Sequence, residues 1–127
     1  MDDFKHFSWN EFDCESGKGK GIKHMDKDFI CLLDDARGIA GVPFKITSGY
    51  RTPEYNKALQ EEGFKTSKTS SHIKGLAVDI YANDSTTRFK IITSLLIVGI
   101  NRIGIGNTFI HCDIDKDKPQ NVLWTYY

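Results

Sequence analysis

The sequence carries no net charge, since 17 lysines and arginines are matched by 17 aspartates and glutamates. Nucleic-acid binders usually show a basic excess, so nucleic acid is not an expected partner. Little net repulsion keeps the molecules apart either. No apolar run is long enough to cross a bilayer: the longest, around Ile91 to Ile100, is broken by Thr93, Ser94 and Gly99. No membrane partner is therefore expected. The opening MDDFKHFSWNEF is acidic and aromatic and lacks the apolar centre of a secretory leader. Synthesis in a cytoplasm is expected, with any export supplied by something else. Cysteine is scarce and odd in number, and Cys14, Cys31 and Cys112 have no close spacing. That argues against a disulfide framework and a structural zinc knuckle. Cys31 and Cys112 fall in apolar patterns and are expected as small buried hydrophobes, Cys14 as a surface thiol. No internal repeat and no low-complexity segment is present.

What remains is an ordinary globular composition, 39% apolar and 27% charged over 127 residues, enough for one domain (1–127) with one core. A monomer is expected. Met25, Phe29, Leu32, Leu33, Ala36 and Ile39 recur at helical spacing and predict a helix ending near Gly41, before Pro43. Thr52-Pro53 predicts a second helix start, with threonine as cap and proline in the first turn; Gly63 stops it. Asp84 or Ser85 caps a third helix that Gly99 closes. Strands are expected at Phe44–Ser48, Leu76–Tyr81, Arg102–Ile105, Phe109–Ile114 and Val122–Tyr126. The segments 15–23 and 65–71 read as loops. These elements predict an α+β domain with a small antiparallel sheet packed by helices.

Two strands share one design. Alternation places Leu76, Val78 and Ile80 on one face and Ala77 and Asp79 on the other. In the next, Ile110, Cys112 and Ile114 oppose Phe109, His111 and Asp113. Each strand has an apolar side and a side bearing metal-type ligands. His72 precedes the first by a short loop containing Gly75, which lets the backbone bring the imidazole back over Asp79. Two histidines and a carboxylate are a common protein set for catalytic zinc, with water in the remaining position. One Zn2+ held by His72, Asp79 and His111 is the expected cofactor.

The stretch Ser70-Ser71-His72-Ile73-Lys74-Gly75-Leu76-Ala77-Val78-Asp79 resembles the S-x-H-x-x-G-x-A-x-D motif of the peptidase M15 family. These are zinc D-alanyl-D-alanine carboxypeptidases and related murein endopeptidases, with a fold similar to the hedgehog signalling domain. The likeness extends upstream through Ile46-Thr47-Ser48-Gly49-Tyr50-Arg51. Downstream it takes in Arg102-Ile103-Gly104-Ile105, Phe109-Ile110-His111-Cys112-Asp113 and the final Leu123-Trp124-Thr125-Tyr126.

The resemblance implies a peptidase acting on the stem or cross-link peptides of bacterial peptidoglycan, as carboxypeptidase or endopeptidase. A phage-type lysin, released by a holin or carried by a virion, is the expected setting. It implies zinc at His72, Asp79 and His111, and Arg51 on a substrate carbonyl or developing oxyanion, a task suited to a permanently charged fork of donors. Ser48, Tyr50, Ser70 and Trp124 are candidate substrate contacts. Ser70 could bind substrate or orient His72, or equally be a loop hydroxyl with no role, and Trp124 with Tyr126 could wall the cleft or pack the core.

Several family members place a carboxylate three residues before the last histidine, where this chain has Thr108. Asp113, on the His111 side of its strand, is the alternative. It could take a proton from water or hold a ligand histidine, and the first is the working expectation. Asp115 is expected to be solvated. His6 and His24 are expected at the surface, and Lys18, Lys20 and Lys23 form a small basic cluster on a loop or against anionic wall polymer. The competing function is a zinc-containing wall-binding module without turnover.

Overall fold

A computed structural model describes residues 4–13, 19–63 and 70–127, without the side chain of Lys20. Helices α1 (Lys20–His24), α2 (Lys27–Ala40), α3 (Pro53–Glu61) and α4 (Ser85–Ile97) accompany strands β1 (Ile46–Ser48), β2 (Ala77–Tyr81), β3 (Arg102–Ile105), β4 (Phe109–Asp113) and β5 (Val122–Thr125). The α+β fold expected from the sequence is the one observed.

Each long helix starts where a side chain can satisfy its open N–H groups. Asp26 caps α2 by accepting from Phe29 N at 2.9 Å. Thr52 caps α3 through Tyr55 N at 3.1 Å, with Pro53 in the first turn. Of the two caps possible for α4, Asp84 serves, accepting from Thr87 N at 2.9 Å. Helix α2 buries Phe29, Ile30, Leu33 and Ala36 against Val78 and Ile80 of β2, Ile110 and Cys112 of β4, and Ile91 and Leu95 of α4. Full burial of a large apolar side chain contributes roughly 1.5–3 kcal/mol, so this layer holds the helices to one face of the sheet.

The expected burial of Cys31 fails: it is exposed, because its position points away from the side of the helix that carries Phe29, Leu33 and Ala36. Ile39, at the last turn of α2, is exposed as well. The expected loop 15–23 is also corrected, since Lys20–His24 is a short helix. It is held from outside: Asp13 accepts from Gly19 N at 2.8 Å and from Gly21 N at 2.6 Å. Cys14, Lys18, the Lys20 side chain and most of the expected 65–71 loop lie outside the described residues. His6 and His24 are exposed as expected.

The sheet order is β1-β2-β4-β3-β5. All pairs are antiparallel except β3 with β5, which run parallel. The sheet is therefore mixed rather than purely antiparallel. Strand β5 leaves the end at which β4 finishes, after a short loop, and settles beyond β3; it must run against β4 and so with β3. This register lines up Asp79, His111, Gly104 and Trp124 as neighbours on β2, β4, β3 and β5. The row lies on the face opposite α2 and α4, while Leu59 of α3 lines the cleft on the same side as the row.

Candidate metal centre

His72 sits in a tight turn spanning 71–75. Gly75 closes it at φ 73°, where a Cβ would meet the His24 carbonyl oxygen at 1.8 Å, so only glycine fits. The turn aims the imidazole inward. Its Nδ1 donates to the Gly49 carbonyl at 2.8 Å. In the neutral ring this leaves Nε2 unprotonated, 3.2 Å from Asp79 Oδ1. From the facing strand, His111 Nδ1 lies 2.9 Å from the same oxygen. One donor atom from each of the three residues falls within 4.8 Å of the others. Two imidazole nitrogens and a carboxylate oxygen, converging on one point beside a cleft, suit zinc by ligand type. His72, Asp79 and His111 are thus brought together as expected.

Arg51 follows β1 and reaches the same centre. Its Nε donates to Ser48 Oγ at 3.1 Å, one terminal nitrogen donates to Asn56 Oδ1 at 3.3 Å, and the other lies 3.5 Å from Asp79 Oδ2. The Arg51 main-chain N–H donates to His72 O at 3.1 Å, tying the two segments together. Ser70 lines the cleft, and its Oγ accepts from His72 N at 3.2 Å. Trp124 also lines it, its ring 5.5 Å from that of His111. Ser48 and Tyr50, expected to touch substrate, are not among the residues that line the cleft. Ser48 is turned to Arg51, and Tyr50 is buried in the core with its ring stacked on His24 at 4.5 Å.

Asp113 faces the far side of His111, whose Nε2 donates to Asp113 Oδ2 at 2.7 Å. The other oxygen accepts from Arg102 Nε at 2.6 Å and from Asp115 N at 3.0 Å. Arg102 is buried, donates also to the Pro119 carbonyl, and lies over the Trp124 ring at 5.0 Å. Asp115 is 1% exposed rather than solvated, because Ser71, Lys74 and the Asp117 N–H all donate to its carboxylate. Sequence reading missed Arg102 as a neighbour of the site. Its alternation with Gly104 on the His111 side of β3 was the available signal.

These contacts set the protonation equilibria. Burial pushes the Asp79 carboxyl up, but the charges and hydrogen bonds of His72 and His111 overcome this and hold it far below its ordinary range. Burial lowers His72, with Asp79 pulling less strongly the other way. For His111 burial also opposes the charge, yet the hydrogen bonds to Asp113 and Asp79 leave its pKa raised. Burial raises Asp113 too, and His111, the Asp115 N–H and Arg102 more than reverse it.

The centre opens into a cleft of about 660 Å³. One wall is Phe109, Trp124 and Tyr126. Burial pushes the Tyr126 phenol up to about 12, so it stays protonated. The wall needs Gly104: a Cβ there would come within 2.6 Å of Trp124 and 2.7 Å of Tyr126. Among the described residues, Asp79 and Asp113 are the only carboxylates lining the cleft, and Thr108 lines it where a third would stand.

No curated protein matches the sequence. The L-Ala D-Glu endopeptidase ChiX of Serratia marcescens, in its crystal structure, is similar with a TM-score of 0.61 at 17% identity, over 74% of this chain and 83% of that one. At such identity the likeness is one of fold. A family model described as peptidase M15 matches residues 5–113. That span contains the His72 turn, the strands that carry Asp79 and His111, and Asp113, and it places the chain in the peptidase M15 family.

Proposed function

We propose that the chain is a zinc-dependent peptidase that hydrolyses a peptide bond in peptidoglycan stem or cross-link peptides, with zinc held by His72, Asp79 and His111. The observation that carries this is the approach of His72 Nε2 and His111 Nδ1 to one oxygen of Asp79, at 3.2 and 2.9 Å, beside the cleft. When bound, zinc supplies Lewis acidity toward a peptide carbonyl and toward water. Arg51 donates to the carbonyl oxygen as negative charge builds there. Ser70 orients the His72 turn and Trp124 walls the bound peptide. No helix among the described residues is long and apolar enough to span a bilayer.

The role of Asp113 is revised from proton acceptor to partner of His111. Its Oδ2 accepts a hydrogen bond from Nε2–H, which leaves Nδ1 as the ligating nitrogen. The attacking water then finds no carboxylate at residue 108, and slow turnover follows. ChiX is an L-Ala D-Glu endopeptidase, and we take endopeptidase cleavage as the working activity, with D-Ala-D-Ala carboxypeptidase action the other outcome. A phage-type lysin remains its proposed setting, on the resemblance alone.

Muropeptide mass spectrometry with and without a chelator tests this. Chelator-sensitive products that disappear in His72→Ala are expected; cleavage untouched by both would overturn the mechanism. A second reading, a zinc-containing wall-binding module, is favoured by Thr108 and by the engagement of Asp113 with His111 and Arg102. Tight binding to isolated walls with no product would select it.

A further inference from the structure

We propose that Asp115 is a positioning residue for the metal centre, fixing the spacing between the segments that carry His72 and His111. This rests on the reading of His72, Asp79 and His111 as a zinc site. Asp115 lies just past β4 and does not line the cleft. A buried carboxylate is costly unless fully hydrogen-bonded, and at 1% exposure this one is bonded toward both ligand segments. Its Oδ2 accepts from Ser71 Oγ at 2.7 Å, on the residue next to His72. Lys74 Nζ, at the far end of the same turn, donates to its two oxygens at 3.1 and 3.0 Å. In the other direction its main-chain N–H donates to Asp113 Oδ1 at 3.0 Å, and Asp113 Oδ2 accepts from His111 Nε2 at 2.7 Å.

One unbroken path therefore runs from the His72 turn through Asp115 and Asp113 to the His111 ring. The backbone runs beside it: Leu76 N donates to Ser71 O, and Ile114 N donates to Leu76 O, both at 3.1 Å. Asp115 has the Asp117 N–H at 3.1 Å, and Gln120 Nε2 donates to its carbonyl at 3.0 Å, so the residue is held on its own loop before it grips the turn. Zinc ligation tolerates only small errors in donor position. A carboxylate that sets the distance between two ligand segments acts on metal affinity without touching the metal.

The test is zinc affinity of the full chain by chelator competition, beside the melting temperature of the metal-free form. Asp115→Ala is expected to weaken zinc about 10- to 100-fold, the range for outer partners of a metal site. Ser71→Ala is expected to weaken it about 3- to 10-fold, a fraction of that range. The double variant should be no weaker than Asp115→Ala alone, because both changes break one path. Asp34→Asn is the control. Asp34 accepts from the main-chain N–H groups of Lys5 and His6 at 3.0 and 2.8 Å, away from the site. It should lower the melting temperature and leave zinc affinity unchanged.

Wild-type affinity in Asp115→Ala overturns the inference. So does a loss of affinity in Asp34→Asn matching that of an equally destabilised Asp115→Ala, since global loosening would then explain both. Should Asp115→Ala fail to fold, wild-type affinity in Ser71→Ala overturns it instead. A wild-type chain that binds no zinc removes the underlying reading, and that result is distinguishable from all of these.

Discussion

Asp113 and Asp79 grip His111 from opposite sides, with Asp113 Oδ2 2.7 Å from Nε2 and Asp79 Oδ1 2.9 Å from Nδ1. The ring is thereby fixed in orientation, and with zinc on Nδ1 the Asp113 carboxylate would keep the ring proton on Nε2. Removing the outer carboxylate should disturb metal binding rather than proton transfer alone. Asp113→Ala is expected to weaken zinc by about 10- to 100-fold in chelator competition. A general base would behave differently: zinc affinity would hold while turnover vanished.

Arg51 lies 3.5 Å from Asp79 Oδ2 yet is not a metal ligand. Arg51→Met should leave zinc affinity near wild type and lower kcat by about 10²- to 10³-fold, the loss typical of one oxyanion donor. Arg51→Lys should recover little of it, because an ammonium cannot reproduce the fork that also engages Ser48 and Asn56. Steady-state kinetics on a purified muropeptide reads both.

Thr108 lines the cleft three residues before His111. Thr108→Glu places a carboxylate at that position. Turnover should rise about tenfold or more, since a positioned base contributes about 10²- to 10⁴-fold. Unchanged kcat at unchanged zinc affinity would mean that the proton leaves by another route.

His72 and His111 should give the metal-free chain opposite responses to pH. His111 is raised above 6.5, so its contribution to stability is complete below pH 6.5 and is lost as pH rises through the folded value. His72 is lowered below 6.5, so the chain loses stability through it as pH falls from 6.5 toward that value. In melting curves across pH, His111→Gln should flatten the alkaline limb and His72→Gln the acidic limb. Zinc should bind progressively less well on acidification, as protons compete for both rings.

Gly104 leaves the space that Trp124 and Tyr126 fill. Gly104→Ala should push both rings outward, lowering stability by about 1–3 kcal/mol as overpacking does. KM should rise more than kcat falls. An unchanged melting temperature together with an unchanged KM would show that the aromatic wall is not held against the sheet.

Much of this architecture was legible in the sequence, for reasons local to each segment. Thr52-Pro53 and Asp84 mark helix starts because their side chains answer open N–H groups a few residues on. Val78, Ile80, Ile110 and Cys112 declare the core face of two strands by alternation, which leaves Asp79, His111 and Asp113 together on the other. What escaped depends on distant partners. Helix α1 is held by Asp13, through hydrogen bonds to Gly19 and Gly21. Asp115 looks like a solvated loop residue until Ser71 and Lys74 arrive from more than forty positions away. The direction of β5 follows from where β4 ends, which no residue of β5 records.

Asp79 and His111 are directly opposed in the β2–β4 ladder, and this constrains how such a chain can change length. Between the two strands the chain forms α4 and β3, and the helix and the loops on either side of it could grow or shrink while the pair stays matched. A single residue gained or lost within either strand would turn one ligand to the helix side of the sheet and bring an apolar neighbour into its place. Insertions should therefore be absorbed between the strands and rejected inside them, so the site is inherited as a register and not only as a set of residues.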